Sequence, residues 1–430
     1  MPINLAYGKT GLPLDLPDSL QITVIEPRFV EGLRDEAAAL REALRAPLGM
    51  PPLRDVVKPG DRVGIIFSDI TRATPHGLIL PAVLAELAHV PASQIILCCA
   101  LGTHRANTEA ELRTMFATSA TPEVADWLLA NWRIVQNDAF DTTTQVKLGE
   151  TSRGHELWLN RAIAECDVKV LTGFIEPHFF AGFSGGGKAL MPGMAGLRTV
   201  LGNHDAANIS STNATWGVTH GNPIWEEVME AADMAGGVFL LNVALNKYKQ
   251  ITGVFAGDLH QAHAAGCAFV RETAMAPVAA PFDIVITTNS GYPLDLNLYQ
   301  AVKGMSAAAK VVRAGGLIVC AAECWDGIPD HGLYGQLLRE ATSPQALLDR
   351  ILAPDFLMQD QWQAQIQAQI QLKADVHLYA DGLSDTQIRQ SLLTPCRDIA
   401  ATVRARAAAL GPGCTICVLP EGPQTIPYVV

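Results

Sequence analysis

Basic residues are scarce in this sequence. Against 43 Asp and Glu there are 31 Lys and Arg among 430 residues, a net charge of −12 with 17% charged residues. Nucleic acid and anionic membranes both call for a basic footprint, so neither is expected as the main partner; a local basic pocket for a small anion is not excluded. Also missing is any run of about 18 apolar residues of the kind that crosses a membrane. The start, MPINLAYGKTG, lacks the basic stretch followed by an apolar one that marks a secretory signal. A disulfide framework is absent as well: the nine cysteines are odd in number and irregularly spread, which fits a reducing, cytoplasmic setting. Cys98 and Cys99 sit in an apolar run, QIILCC, and read as core. Cys414 and Cys417 form a lone C-x-x-C in a strand-like run, TICVL, without the partner pair or helix start that metal or redox duty needs. No repeat of solenoid length is present.

What is abundant is apolar residues, 49% of the chain, enough for large cores in about two or three domains. RVGIIF (62–67), QIILCC (94–99), VKVLTG (168–173) and VFLLNV (238–243) read as buried strands, and EGLRDEAAALREALR (31–45) and the segment after His76 as helices. This alternation predicts an α/β fold with largely parallel sheets. TAMAPVAAPF (273–282) interrupts the pattern with two prolines, and a new unit follows: DIVITT (283–288), a helix from Asn297 to Val312, and GLIVCA (316–321). Two α/β domains are therefore expected, 1–275 and 276–430. The last fifteen or so residues are expected to pack back on the first, and the active site to lie in the cleft between the two. The glutamine-rich QDQWQAQIQAQIQ (359–371) reads as an amphipathic helix from the spacing of Trp362, Ile366 and Ile370.

Ligands of open α/β sheets bind beyond the carboxyl ends of the strands. Four loops in that position carry polar residues unusual for a connection: SDITRATPH, GTHR, EPHFFAGFSGGGKALMPG and NSGYPLDLNLYQAVKG. In the first, Asp69, Thr71 and Arg72 follow a strand, and Arg72 offers a forked donor for a carboxylate or phosphate. In the second, His104 is a candidate proton shuttle, because imidazole takes and gives a proton near neutrality. The third holds His178 and Lys188, with His204 further on in TVLGNHD; their spacing matches no H-E-x-x-H or C-x-x-C zinc pattern. In the fourth, Tyr299 and Lys303 are spaced to share a helix face, Gln300 lies beside them, and Asp295 and Asn297 are cap candidates.

Gly182 to Lys188 also has the spacing of a phosphate-binding loop, but Ala189 stands where that loop needs a metal-ligating hydroxyl. Glycines there, Gly185 and Gly186 included, let the backbone approach a flat ligand closely. A lysine at such a place serves as a point charge for phosphate, or as an amine that forms a covalent bond. A nucleotide-binding or NTP-hydrolysing protein, and a cofactor carrier without turnover, are the alternatives to an enzyme of another kind.

Taken together, SDITR, GTHR, EPHFFAGFSGGGKALMPG, GNHD and GYPLDLNLYQAVKG, in this order and with LAYGKTG before and LPEGPQTIPYV after, resemble the lactate racemase family. The resemblance implies racemisation or epimerisation at C2 of a 2-hydroxy acid by proton-coupled hydride transfer. The cofactor it implies is a nickel-pincer nucleotide (a pyridinium-3,5-bisthiocarboxylic acid mononucleotide with nickel), made by separate biosynthetic proteins. By the same resemblance Lys188 tethers the cofactor covalently and His204 ligates nickel, while His104 and His178 are the acid/base pair. Arg72 and Lys303 position the substrate carboxylate, and Asp69, Thr71, Gly185, Gly186, Tyr299 and Gln300 line the cofactor and substrate pocket. Trp362 corresponds to a pocket-closing aromatic. For a dicarboxylate substrate the extra cation is Arg105, with His76 close to Arg72 in sequence. Gly187 stands where some members carry a larger basic residue, and Gln136-Asn137-Asp138 where a histidine is sometimes found.

Overall fold

The computed structural model describes residues 3–330 and 332–430. The chain forms two compact units, one made of Phe29–His204 and Thr212–Thr273, the other of Met1–Arg28, Asp205–Ser211 and Ala274–Val430.

The first unit is built on a six-stranded sheet whose strands are β1 (Val63–Ser68), β2 (Ile95–Ala100), β3 (Arg133–Gln136), β4 (Val168–Phe174), β5 (Val238–Leu245) and β6 (Ile251–Gly257). Their order is β6-β5-β4-β1-β2-β3, parallel except for β6, which runs antiparallel to β5. The central strands are near-continuous apolar runs, as a parallel sheet covered on both faces requires. Ile65, Phe67, Leu97 and Val170 are fully buried among side chains such as Leu40, Leu44, Ile79 and Val83. Those last four come from helices α1 (Glu36–Arg45) and α2 (His76–Glu86). α1 starts five residues later than its apolar spacing predicts, because Asp35 takes the N-cap and accepts a hydrogen bond from the Ala38 amide. The chain runs from β1 outward to β2 and β3, then crosses back to β4 on the other side of β1. The strand order thus reverses between β1 and β4, and a sheet of this kind leaves a crevice at such a point. Also in this unit are α3 (Glu109–Phe116), α4 (Leu197–Asn203), α5 (Pro223–Ala235) and α6 (Leu259–Ala274).

The second unit repeats the principle. Its strands β7 (Phe282–Thr288), β8 (Val312–Ala321), β9 (Asp375–Tyr379), β10 (Thr394–Pro395) and β11 (Thr415–Leu419), with the N-terminal strand Gln21–Val24, form an all-parallel sheet. The order is β10-β9-β8-β7-β11 followed by Gln21–Val24. The first 28 residues, expected with the N-terminal domain, group here because Gln21–Val24 pairs with β11. Near the C-terminus, Ile426–Val429 pairs in parallel with Met275–Val278 of the same unit. After β7 comes α7 (Leu298–Ala309). The glutamine-rich segment is helical, α8 (Gln361–Lys373), but it is not amphipathic: Gln361, Gln363, Gln365 and Gln367 are as buried as Trp362 and Ile366. Each of these glutamines has a partner. Gln365 donates to Ala206 O and Ser210 Oγ at 2.9 Å, Gln367 donates to Ser391 O at 2.8 Å, Gln361 accepts from the Met358 amide, and Gln363 donates to Tyr299 O. These bonds cross-link the unit, those of Gln365 tying Asp205–Ser211 into it, but Gln361 Nε2, Gln363 Oε1 and Gln365 Oε1 are buried without a hydrogen bond among the described residues, which sets a cost against them.

Candidate active site

At the carboxyl end of β1 the chain turns through Asp69, which is 4% exposed. Its Oδ1 accepts hydrogen bonds from the Thr71 amide (3.2 Å) and hydroxyl (2.6 Å), and its Oδ2 lies 2.6 Å from His104 Nδ1. Burial raises the Asp69 pKa, but the His104 hydrogen bond and charge, Arg72 and Thr71 outweigh it and hold the group at about 2. The carboxylate is therefore ionised and His104 Nδ1 donates to it, which leaves the Nε2 lone pair for proton transfer. His104 reaches Asp69 because GTHR follows β2, the neighbour of β1. Arg72 stands beside this pair, 4.0 Å from Glu176 Oε1. His76 is buried edge-on against Phe67, where loss of solvent lowers its pKa to about 4. Arg105 is turned outward with 67% of its side chain exposed, and forks onto Glu111 at 2.7 and 2.9 Å.

On the other side of the strand reversal, β4 leads into a small hairpin in which His178 pairs with Gly182. His178 Nδ1 accepts from the Ala181 amide at 3.2 Å, so in the neutral ring the proton resides on Nε2. The hairpin requires glycine at 182: φ is +75° and a Cβ there would meet Val218 O at 2.0 Å. Ser184 then ties the loop to its own strand, donating to Phe174 O and accepting from the Glu176 amide, while His263 of α6 donates to Ser184 O at 2.9 Å. The glycine run passes over β5, where the Asn242 side chain accepts from the Gly186 amide at 2.8 Å. Gly186–Ala189 close a single 3₁₀ turn that carries Lys188. A phosphate-binding loop runs from a strand straight into a long helix; here a hairpin precedes the glycines and only this short turn follows.

Lys188 Nζ lies over the Phe180 ring, 5.5 Å from its centre, and the same ring packs edge-on against His204 at 4.9 Å. His204 closes the C-terminal end of α4 and is 4% exposed. Burial, with the Lys188 charge added, pushes its pKa well below the usual value, so the imidazole is neutral. Its Nδ1 is 2.9 Å from Asn203 Oδ1. Among the described residues no three His, Cys, Asp or Glu side chains gather to hold a metal.

In the second unit, Asn297 caps α7 by accepting from the Gln300 amide, whereas Asp295 accepts from the Gly8 and Glu323 amides and is not a cap. The Tyr299 hydroxyl accepts from Trp362 Nε1 at 3.1 Å, and its ring meets Tyr334 edge-on at 5.4 Å. Lys303 follows Tyr299 on α7 and is half-buried.

Within the first unit the structure thus brings Asp69, Thr71 and His104 into one cluster and Lys188, Phe180 and His204 into another, with His178 on the hairpin between β4 and the glycine run. Asn242, Ser184 and His263 were not singled out from the sequence. Their signal was weak, a polar residue in an apolar strand run for Asn242 and none for the others.

The fold and these clusters define an α/β protein with histidines gathered on the loops at a strand reversal, and comparison with known proteins sharpens the class. Residues 7–217 match the lactate racemase N-terminal domain and residues 278–426 the lactate racemase C-terminal domain. The chain is 35% identical to the lactate racemase of Thermoanaerobacterium thermosaccharolyticum over 429 residues, covering 99% of this chain and 98% of that one. It is also 35% identical to the lactate racemase of Lactiplantibacillus plantarum over 425 residues, 98% of each. Its structure superposes on that of the T. thermosaccharolyticum lactate racemase apoprotein with a TM-score of 0.91 at 34% identity, covering 99% of this chain and 100% of that one. A Thermotoga maritima protein at 17% identity, TM-score 0.70, with 94% of this chain and all of that one covered, shares the fold. The chain belongs to the lactate racemase family, and with it to the isomerases.

Proposed function

We propose that this chain inverts C2 of a 2-hydroxy acid, lactate or a close relative, with a nickel-pincer nucleotide tethered to Lys188 and its metal held by His204. The observation that carries the reading is the convergence of Lys188 and a neutral, buried His204 on the Phe180 ring. A metal ligand must be an unprotonated imidazole, and His204 is in that state with Nδ1 already engaged by Asn203. The protein offers no further cluster of metal ligands among the described residues, so the donor set fits a metal whose other ligands arrive with an organic group. When bound, that group supplies an electron-poor centre able to accept and return hydride.

The chain's own residues do the rest. Arg72 presents a planar fork to the substrate carboxylate and fixes its orientation. His104, oriented by ionised Asp69, takes the hydroxyl proton at Nε2, and His178 offers its Nε2–H as a hydrogen bond to the substrate oxygen. For the opposite enantiomer the resemblance implies the reverse roles, which require His178 to bind a proton at Nε2 and therefore to carry its own proton on Nδ1 in place of the Ala181 hydrogen bond. Lys303, Tyr299 and Gln300, on α7, keep the substrate-side roles that the resemblance implies for them. Among the described residues no helix is long and apolar enough to cross a membrane; the free thiols of the cysteines fit the reducing, cytoplasmic setting expected from the sequence. Cofactor-making proteins are the partners required for maturation.

The test is co-expression with those proteins, followed by intact mass, nickel analysis and polarimetry on a panel of single-enantiomer 2-hydroxy acids. The expected result is an adduct lost in Lys188→Ala, nickel lost in His204→Ala, and loss of optical rotation with one acid of the panel. Activity without an adduct would overturn the reading.

A further inference from the structure

Behind His204 lies a buried chain of polar groups that the proposed chemistry does not use. Glu227, on α5, is 1% exposed, yet both of its oxygens are occupied. Oε1 accepts from the Thr151 hydroxyl at 2.6 Å and lies 2.7 Å from His155 Nδ1; Oε2 accepts from Asn203 Nδ2 at 2.9 Å. Asn203, the last residue of α4 and fully buried, donates also to Ile224 O at 3.2 Å. Its Oδ1 faces His204 Nδ1. The His155 ring closes tightly on α4, because a Cβ on Gly202 would come within 2.9 Å of it.

The orientation of the Asn203 amide follows from these partners. Glu227 carboxylate and Ile224 carbonyl are acceptors only, so the NH₂ end must face them and the carbonyl end must face His204. That carbonyl accepts and never donates, so His204 Nδ1 must carry the ring proton. Only Nε2 is left with a lone pair for a metal. Burial raises the Glu227 pKa, but the donors His155, Thr151 and Asn203 lower it by more, so a full negative charge polarises the amide from behind.

We propose that Asn203 and Glu227 are positioning residues that lock His204 in its Nδ1–H tautomer and strengthen Nε2 as a donor to the metal; this rests on His204 being the metal ligand. An imidazole ligand held through its second nitrogen is a better and better-aimed donor, and loss of such support typically costs about 10- to 100-fold in metal affinity or activity. His155 and Thr151 extend the chain by fixing the carboxylate.

The test has one arm without cofactor and one with it. In ¹⁵N-histidine-labelled apoprotein, two-bond ¹H–¹⁵N correlation spectra read which nitrogen of His204 carries the proton. Wild type is expected to show it on Nδ1, and Asn203→Leu, similar in volume but without the acceptor, to show it shifted toward Nε2. In protein matured with the cofactor-making enzymes, Asn203→Leu is expected to keep the Lys188 adduct mass while its nickel dissociates about 10- to 100-fold more readily to a chelator. Its visible absorption should shift with the altered ligand field. Should Asn203→Leu fail to fold, Glu227→Gln carries the same test with a smaller expected loss. A wild-type His204 protonated on Nε2 overturns the proposal. So does nickel retention and absorption in the variants identical to wild type. Nickel retained in full by His204→Ala is a different failure: it removes the ligand assignment itself and the proposal with it.

Discussion

His104 and His178 occupy equivalent positions, each half-buried on a turn after a parallel strand, yet they are held in opposite tautomers. His104 gives its Nδ1 proton to a buried carboxylate; His178 receives a backbone proton at Nδ1. The first therefore presents a lone pair at Nε2 and the second a proton. One ring is set by electrostatics, through an Asp69 kept ionised by its donors. The other is set by backbone geometry, through a hairpin that closes only because glycine stands at 182. A catalyst that takes a proton on one side gains from a ring on the other that already offers an N–H to the substrate oxygen, because neither ring has to change tautomer before the first transfer.

The most severe way to break the comparison is to remove either ring. His104→Ala and His178→Ala are each expected to lower kcat by about 10²–10⁴-fold, with adduct mass and nickel content unchanged; polarimetry and intact mass read both. A loss confined to one of the two would show that the rings are not a pair.

Next in size is Asp69→Asn, which leaves His178 alone and removes only the charge that orients His104. Replacing the carboxylate behind a catalytic histidine has cost up to roughly 10⁴-fold in another active site; here a fall of about 10²-fold in kcat is expected, with KM little changed. The same variant carries a pH signature. Asp69 has a folded pKa of about 2, below the roughly 3.9 of an unfolded aspartate. The stability it contributes is thus complete above about pH 4 and is lost as the pH falls toward 2. Acid unfolding followed by circular dichroism should be shallower between those limits in Asp69→Asn than in wild type. Equal slopes would mean that the carboxylate is not held by His104 in solution.

The sequence made one side of this comparison easier to read than the other. The strands RVGIIF and QIILCC stand out by their apolar runs, and they place Asp69 and His104 at strand ends. The contact between the two follows from β1 and β2 being neighbours, which strand–helix alternation makes natural. The His178 hairpin left no such periodic trace, since its pairing covers only Pro177–His178 and Gly182–Phe183. Still less visible were interactions whose partners lie far apart in the chain. Asn242 reaches Gly186 across a sheet, Glu227 reaches Asn203 between helices, and Gln21–Val24 joins β11 near the opposite end of the sequence. The glutamines of α8 show the limit most clearly: spacing finds the helix, but the carbonyls that accept from Gln363, Gln365 and Gln367 in its buried surroundings lie far off in the chain.

The smallest expected effect tests how far the His104 cluster extends. Arg105 is adjacent in sequence and is the cation the sequence offers for a second carboxylate. In the structure both arms of its fork are taken by Glu111, whose carboxylate also accepts from the Thr108 amide and completes the capping box of α3. Recruiting Arg105 to a substrate would require breaking that bidentate pair, although the guanidinium is largely in solvent and the pair is worth only about 0.2–1 kcal/mol. Arg105→Ala is therefore expected to change kcat/KM for a 2-hydroxy monocarboxylate by less than about threefold, and Tm only slightly, since Thr108 and Glu111 still cap the helix. Run on a 2-hydroxy dicarboxylate, the same variant discriminates sharply. An unchanged ratio of the two substrates leaves Arg105 as a helix anchor, whereas a selective fall of tenfold or more with the dicarboxylate would extend the His104 side of the site outward to it.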